Sequence, residues 1–519
     1  MKLSRDEEIF LRQKLLMLKL WFISRTRRTG FNMLTHKKYI TVLSIGALAV
    51  VLGVIFFLCF PLIFNALLKE KIALRNGTIG YKVWQDIPLP IYQRLYFFNI
   101  TNADNFMRKR EKPNLVEVGP YTFKSRWVKE DIIFHPNGTV SFKEVRTFVF
   151  LRNESVGSQD DQIVTLNAPL LLAANFLKSY DLPIRLAASL AFGIAGERLI
   201  VKKSIKQLAF DGYKDIIILL SPILKKDIPF KNGLFAWLYG KNDTNDGIYT
   251  VFTGEDTLDT LNVINMWNGK DSLDFWTGKT CNAFNGSNAE IGPPLKSYQN
   301  TYTFFQSIFC RSLTLDYTED IEHLGVTSKR FMATEMTLAN GTKNPVNSCF
   351  DTKMKLPSGA QDISSCQYDA PVVLSFPHFY LADPIYVKGV NGLHPNSSRH
   401  DFHIDVEPNT GFSIDAAVRF QVNLYVQRIY GISQLSNVPT VMFPIFWADL
   451  SFSLTDELAD VFKSKVYLPK NAALGCMFGL MGLGALICIV TVVYTCWIKK
   501  EDKKVLMLSN PNERTPLLN

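Results

Sequence analysis

Two apolar runs, one near each end, dominate the hydrophobic pattern of this chain. Residues 40–64 include seventeen Ile, Leu, Val or Phe. Each favours a bilayer centre by about 0.3–0.6 kcal/mol, which offsets Gly46, Gly53 and Pro61. Residues 472–498 carry no charge between Lys470 and Lys499. Both runs exceed the roughly twenty residues a spanning helix needs. The pattern predicts a membrane hairpin: tail 1–38, helix 39–64, outside domain 65–470, helix 471–498, tail 499–519.

Between the runs, period-two alternation prevails. From 412 to 426 the even positions are Phe412, Ile414, Ala416, Val418, Phe420, Val422, Leu424 and Val426, and the odd ones are mostly polar. A strand with one buried and one wet face is predicted. The turn residues Glu407-Pro408-Asn409-Thr410-Gly411 should fold residues 403–406 back as a hairpin. Residues 139–151 read as a further strand. The exception is 167–213, rich in Leu and Ala, with Pro169 and Pro183 where helices would begin. A helical insert is predicted there. Its apolar stretches, and the one at 216–224, are about nine residues each, too short to cross a hydrocarbon core about 30 Å thick.

Charge sets the orientation. Residues 1–38 hold ten Lys or Arg against three acids, and the tail from Lys499 holds five against three, so nine of the ten net positive charges lie in the tails. Basic residues flanking spans stay cytoplasmic, so both termini are predicted inside. The pI near 9.0 thus reflects topology and gives no support to nucleic-acid binding. The first apolar run is too long for a signal-peptide core. Within the insert, Lys178, Arg185, Lys202 and Lys203 form a basic group on a nearly neutral domain, a candidate surface for acidic ligands.

All eight glycosylation sequons, at Asn76, Asn99, Asn137, Asn153, Asn242, Asn285, Asn340 and Asn396, fall in the outside domain. So do Cys281, Cys310, Cys349 and Cys366, an even set suited to an oxidising compartment, with three pairings open. Cys496, at the cytoplasmic end of the second span, is a candidate for palmitoylation. Gly475 and Gly479 form a GxxxG pair that would suit contact between copies.

Enzyme chemistry finds no footing. The chain has no HExxH, GxSxG or GxGxxG, and its Gly-Lys pairs lack the glycine of a phosphate loop. Asp243, Asn245 and Gly247 approach a calcium loop, but Gly254 stands where the bidentate Glu belongs. His400 and His403 are close in sequence without a third ligand, so no metal or cofactor is predicted.

Eight stretches then carry a family resemblance: Glu117-Val-Gly-Pro-Tyr-Thr-Phe123, Thr244-Asn-Asp-Gly-Ile-Tyr249, Phe252-Thr-Gly254, Trp267-Asn-Gly269, Phe309-Cys-Arg-Ser312, Ser375-Phe-Pro-His-Phe-Tyr380, Gly392-Leu-His-Pro395 and Pro408-Asn-Thr-Gly411. The chain resembles the class B scavenger receptors, and its ending, Glu513-Arg-Thr-Pro-Leu-Leu518, is most similar to the acidic dileucine of the lysosomal integral membrane branch, as an insect-like member. The resemblance implies an α+β domain: an antiparallel β-barrel-like core, a helical apex mapping onto 167–213, and a hydrophobic tunnel toward the bilayer. It implies lipids, lipoproteins or a protein ligand as partners at the apex, and the bridges Cys281–Cys349 and Cys310–Cys366. There are two departures. The family's third disulfide is missing, with Asp351 near one of its places, and the N-terminal tail, with its apolar-basic run at 9–22, is long enough to form an amphipathic helix along the inner leaflet.

Glu513, Leu517 and Leu518 would engage a clathrin-type sorting adaptor, so residence in late endosomes and lysosomes, with some at the plasma membrane, is expected. The function expected is a receptor that captures lipid or lipid-carrying ligands and passes lipid toward the membrane. The alternatives are a sorting receptor for a lysosomal enzyme and, from other classes, a two-span ion channel or an ecto-hydrolase.

Overall fold

The computed structural model describes the backbone of residues 5–220, 230 and 232–509, with side chains at 37–219, 230 and 232–501. It divides into two units, residues 67–462 and the two chain ends, 1–66 with 463–519.

From the N-terminus, helix α1 (Arg5–Ile72) leads into α2 (Ile79–Gln85), where the Thr78 hydroxyl accepts the N–H of Tyr81 as an N-cap. Strand β1 (Ile91–Ile100) and helix α3 (Ala103–Lys109) precede the long hairpin of β2 (Leu115–His135) and β3 (Thr139–Phe150). The chain then makes an excursion: β4 (Gln162–Leu166), α4 (Ala168–Leu177), α5 (Leu182–Ile194), β5 (Ile200–Ser204), α6 (Ile205–Ala209), β6 (Tyr213–Lys214), α7 (Ile216–Leu220) and β7 (Leu234–Phe235). It returns through β8 (Ile248–Phe252), β9 (Ile264–Trp267), α8 (Lys279–Asn282), β10 (Thr301–Gln306), β11 (Arg311–His323), β12 (Val326–Met332), β13 (Ala360–Asp362) and β14 (Val372–Ser375). Last come α9 (Pro384–Lys388), α10 (Ser397–His400), β15 (His403–Val406), β16 (Ser413–Val426), β17 (Val441–Ser453), α11 (Asp456–Phe462) and α12 (Leu468–Ser509).

Among the described residues, thirteen strands form one antiparallel sheet in the order β10-β11-β12-β15-β16-β17-β1-β2-β3-β8-β9, with β13 and β14 attached to β16. Its two edges nearly meet. The segment at Gly286 and Ser287 accepts the N–H of Ile264 on β9 and the N–H of Phe305 on β10, so the edge strands are joined through it and the sheet closes into a barrel-like wall. Closure removes the exposed edges that invite aggregation.

The expected hairpin is present, with Ile404 opposite Ala416. One expectation for β16 is overturned: its polar face is not wet. Gln421 and Asn423 are fully buried, because β14 pairs with the second half of β16 and covers that side. Asn423 Nδ2 donates to the Val373 carbonyl and to Ser375 Oγ, each at 3.0 Å. The Gln421 side-chain carbonyl accepts the N–H of His378 at 2.7 Å. The alternation therefore marks an apolar and a hydrogen-bonded interior face.

The core also buries charge. Lys129 Nζ lies 3.0 Å from Glu144 and 2.6 Å from Glu290, under the Trp84 and Phe142 rings. Burial and the adjacent Glu144 hold the Glu290 carboxyl well above the usual carboxylate range. A single deletion in this group would strand a charge, a far larger loss than the pair's net contribution.

Residues 37–72 and 456–501, most of which lie in the other unit, contain helices long and apolar enough to cross a membrane. Their outward faces are apolar, with Leu62 74% and Leu483 58% exposed. α1 and α12 meet where both carry glycine: a Cβ on Gly46 would stand 2.9 Å from the Gly484 carbonyl, and one on Gly484 2.7 Å from the Gly46 carbonyl. Only hydrogen fits there. Gly475 and Gly479 have open space instead, so they take no part in this packing.

Candidate functional site

The excursion forms the apex. Asn167 opens α4: its Oδ1 accepts the N–H of Leu170 and its Nδ2 donates to Glu197, while Pro169 supplies a preset φ in the first turn. α4 buries Leu170, Leu171 and Ala174. Among the residues of α5, only Ser189 is fully buried. Its hydroxyl accepts the N–H of Ser433, and its carbonyl accepts from Gln434 Nε2. Nearby, Arg185 Nη1 donates to the Tyr430 carbonyl at 2.8 Å. Gly431, at φ +89°, allows this approach, since a Cβ there would meet Leu182 at 2.9 Å. α5 is thus anchored by polar groups and by Phe192, which packs against the core, while other apolar side chains face outward. Leu186, Leu190 and Ile194, at helical i, i+4, i+8 spacing, are 53%, 67% and 80% exposed, and Ile184 47%. An exposed apolar stripe of this kind is unusual on a protein surface.

The predicted helical insert is interrupted, which corrects the reading of 167–213. Residues 200–204 form β5, paired along its length with β4. β-branched Ile200 and Val201 satisfy their backbone in that ladder, outweighing the helical bias of their neighbours. The four predicted basic residues consequently fall on three elements. Lys178 ends α4, exposed, its Nζ 3.2 Å from Gln427 Oε1. Arg185 is half-buried on α5. Lys202 and Lys203 point to opposite faces of β5, and Lys203 lies 4.2 Å from the Tyr213 ring centroid. At the start of α7, Asp215 Oδ1 accepts the N–H of Ile217, and burial together with Glu197 pushes its carboxyl up to about 6.

Cys281 is bonded to Cys349 and Cys310 to Cys366, so the two bridges cross. Asp351 accepts the Gly341 N–H. Asn76, Asn137, Asn153, Asn242, Asn285 and Asn396 are exposed; Asn99 and Asn340 are half-buried. Asn99 lies in β1, where its Oδ1 accepts the Val164 N–H, and Asn340 Nδ2 donates to the Leu356 carbonyl. Cys496 is exposed on α12. Glu513, Leu517 and Leu518 lie outside the described residues.

Two histidine–carboxylate groups bear on metal chemistry, and sequence reasoning missed both because their members are far apart in the chain. Glu117, His378 and His400 converge, with the two imidazoles stacked at 4.4 Å. Each ring's Nδ1 accepts a backbone N–H, from His394 and Asn396, so each neutral ring carries its proton on Nε2. His378 donates that proton to Glu117 at 2.6 Å, and Trp447 Nε1 and Arg399 add further bonds. Burial opposes the Glu117 charge, but the His378 and Trp447 bonds hold the carboxyl down at about 2. The Nε2 lone pairs a metal requires are occupied by hydrogen. In the second group, His323, Asp405 and Asp415, His323 Nε2 lies 2.6 Å from Asp405, and Arg330 grips both oxygens of that carboxylate, at 2.8 and 2.7 Å, filling a cation's place with guanidinium. His403 bridges Asp401 and Asp415 at 2.7 and 3.2 Å, and these bonds, working against burial, push it up to about 9. Both groups cross-link distant segments of the barrel wall.

The CD36 family model matches residues 44–495, nearly the whole chain. The chain belongs to the CD36 family. It is 31% identical over 462 residues to scavenger receptor class B member 1 of Bos taurus, covering 88% of this chain and 89% of that one. Lysosome membrane protein 2 of Homo sapiens is 34% identical over 461 residues, covering 87% and 92%, and that of Mus musculus 35% over 468 residues, covering 87% and 92%. The protein is therefore a class B scavenger receptor-like membrane protein, with the family's two apolar terminal helices and β-rich domain.

Proposed function

We propose that this protein captures lipid or lipid-carrying particles on the outward apolar face of α5 and passes lipid toward the membrane, acting in late endosomes and lysosomes. The observation that carries the reading is that face: Leu186, Leu190 and Ile194 stand in solvent on a helix whose polar groups are tied down beneath it. Burying each against a lipid tail would gain about 1.5–3 kcal/mol. The transfer step rests on the family resemblance, and the interior such a path would cross is apolar. One buried apolar cluster runs from Leu170, Leu171 and Ala174 of α4 to Val422, Leu424 and Phe446 of the barrel. The similarity to proteins named for the lysosome membrane supports the compartment.

Photoactivatable fatty acid or sterol, cross-linked to the purified protein and mapped by peptide mass spectrometry, tests the reading. Labels on α5 and on barrel-lining strands are expected. Labelling confined to α1 and α12 would contradict it.

A further inference from the structure

A concentrated run of exposed charge lies outside the apex insert in sequence, in residues 108–112, Arg-Lys-Arg-Glu-Lys, and is held by Asn437, three residues beyond Gln434, which anchors α5. Arg108, Lys109, Arg110 and Lys112 are all exposed, and among the described residues none of the four pairs with a carboxylate. Four cations less Glu111 leave a charge of +3 in five residues.

The loop is also built to hold its shape. Arg110 ends α3 in the left-handed conformation, φ 57° and ψ 28°, where glycine or asparagine would cost less. Its Nε donates to Asn437 Oδ1 at 2.9 Å, and the amide of that same asparagine donates to the Arg108 carbonyl. Asn102 Nδ2 donates to the Lys112 carbonyl at 2.8 Å, and the Asn391 N–H to the Pro113 carbonyl at 3.0 Å. Two distant segments, at Asn391 and Asn437, and the nearby Asn102 thus fix the run of cations, so little backbone ordering entropy remains to be lost on binding.

We propose that this loop is a docking site for a sulfated polysaccharide chain. A basic run of this length is a polyanion-binding pattern, and outside the cell or in a lumen the abundant linear polyanions are sulfated glycans rather than nucleic acids. Arginine suits sulfate because its planar fork donates two parallel hydrogen bonds to one anionic group. The loop offers little apolar wedge for a lipid surface: Phe106, Pro113 and Leu115 are buried and Val116 stands alone, 52% exposed, whereas surface-lying membrane segments combine basic side chains with a continuous apolar face.

The test is salt elution of the full-length, detergent-solubilised protein from immobilised heparin. The variant Arg108→Gln/Lys109→Gln/Lys112→Gln keeps the Arg110 anchor, and thermal melting verifies its fold. A control variant, Lys178→Gln/Lys202→Gln/Lys206→Gln, removes equal charge elsewhere. Loop neutralisation is expected to weaken heparin binding about tenfold or more and the control much less. Unchanged binding by the loop variant, or equal loss in the control, overturns the proposal. So does a loop variant that loses binding to phosphatidylserine vesicles while retaining heparin.

Discussion

The imidazole of His403 shows how single residues in this barrel couple stability to acidity. Asp401 and Asp415 accept from its two nitrogens, Arg330 and Arg419 sit against the same carboxylates, and the ring's pKa rises to about 9 from an ordinary 6.5. The folded state therefore binds this proton more tightly than the unfolded chain does. The contribution, on the order of 3 kcal/mol, is complete below pH 6.5 and lost as pH rises through 9. Thermal melts of the outside domain at pH 6 and pH 9.5 check this. His403→Gln should lower the melting temperature at pH 6 and leave it nearly unchanged at pH 9.5, whereas equal losses at both would mean that the ring only packs. Residue environments decide glycosylation as well. Site occupancy measured by glycopeptide mass spectrometry should be high at the exposed Asn76, Asn137, Asn153, Asn242, Asn285 and Asn396, and low at Asn99 and Asn340, which are half-buried. Such distinctions were invisible in the sequence. A sequon is local, but Val164 and Leu356, which engage those asparagines, are 65 and 16 residues away. Likewise, His378 and Glu117 are separated by 261 residues, so no spacing could reveal their pairing.

Elements with a strong local period were legible, and those that depend on a distant partner were not. The two apolar runs, β3, the β15–β16 hairpin, and the Pro169 and Pro183 helix starts all follow from patterns contained within a single short stretch of chain. β5 did not, because its strand state comes from pairing with β4, some forty residues earlier. The buried polar face of β16 escaped because Gln421 and Asn423 read as solvent-facing until β14 supplies their partners. The crossed bridges Cys281–Cys349 and Cys310–Cys366 came from family resemblance, since spacing alone left three pairings. Each closes a long loop, with separations of 68 and 56 residues, and such a link stabilises mainly by restricting the unfolded chain. Replacing Cys310 and Cys366 together by serine should cost about 2–5 kcal/mol, read from chemical denaturation of the non-reduced domain. An unchanged midpoint would contradict that loop-closure account.

At the scale of the whole molecule, residues 67–462 form a nearly closed β wall carrying an apex whose helix α5 exposes apolar side chains to solvent. The sequence showed that the apex would be helical and apolar, but its charges drew attention to Lys178, Arg185, Lys202 and Lys203, which the fold disperses over three elements. The outward turn of Leu186, Leu190 and Ile194 could not be read from α5 itself, because the groups that anchor its other side, Tyr430, Ser433 and Gln434, are about 245 residues away. Routing belongs to this scale too. The double variant Leu517→Ala/Leu518→Ala should raise the surface-biotinylated fraction severalfold, because a sorting adaptor would lose about 1.5–3 kcal/mol for each leucine removed. Glu513→Ala should raise it less, an exposed charge contact being worth under about 1 kcal/mol. The central claim, that α5 captures lipid, is tested most directly by measuring the affinity of phospholipid–cholesterol particles for the full-length protein and for Leu186→Ser/Leu190→Ser/Ile194→Ser. These side chains are exposed, so the variant should melt with the wild type while its particle affinity falls about a hundredfold or more; equal affinity in a folded variant would contradict the account.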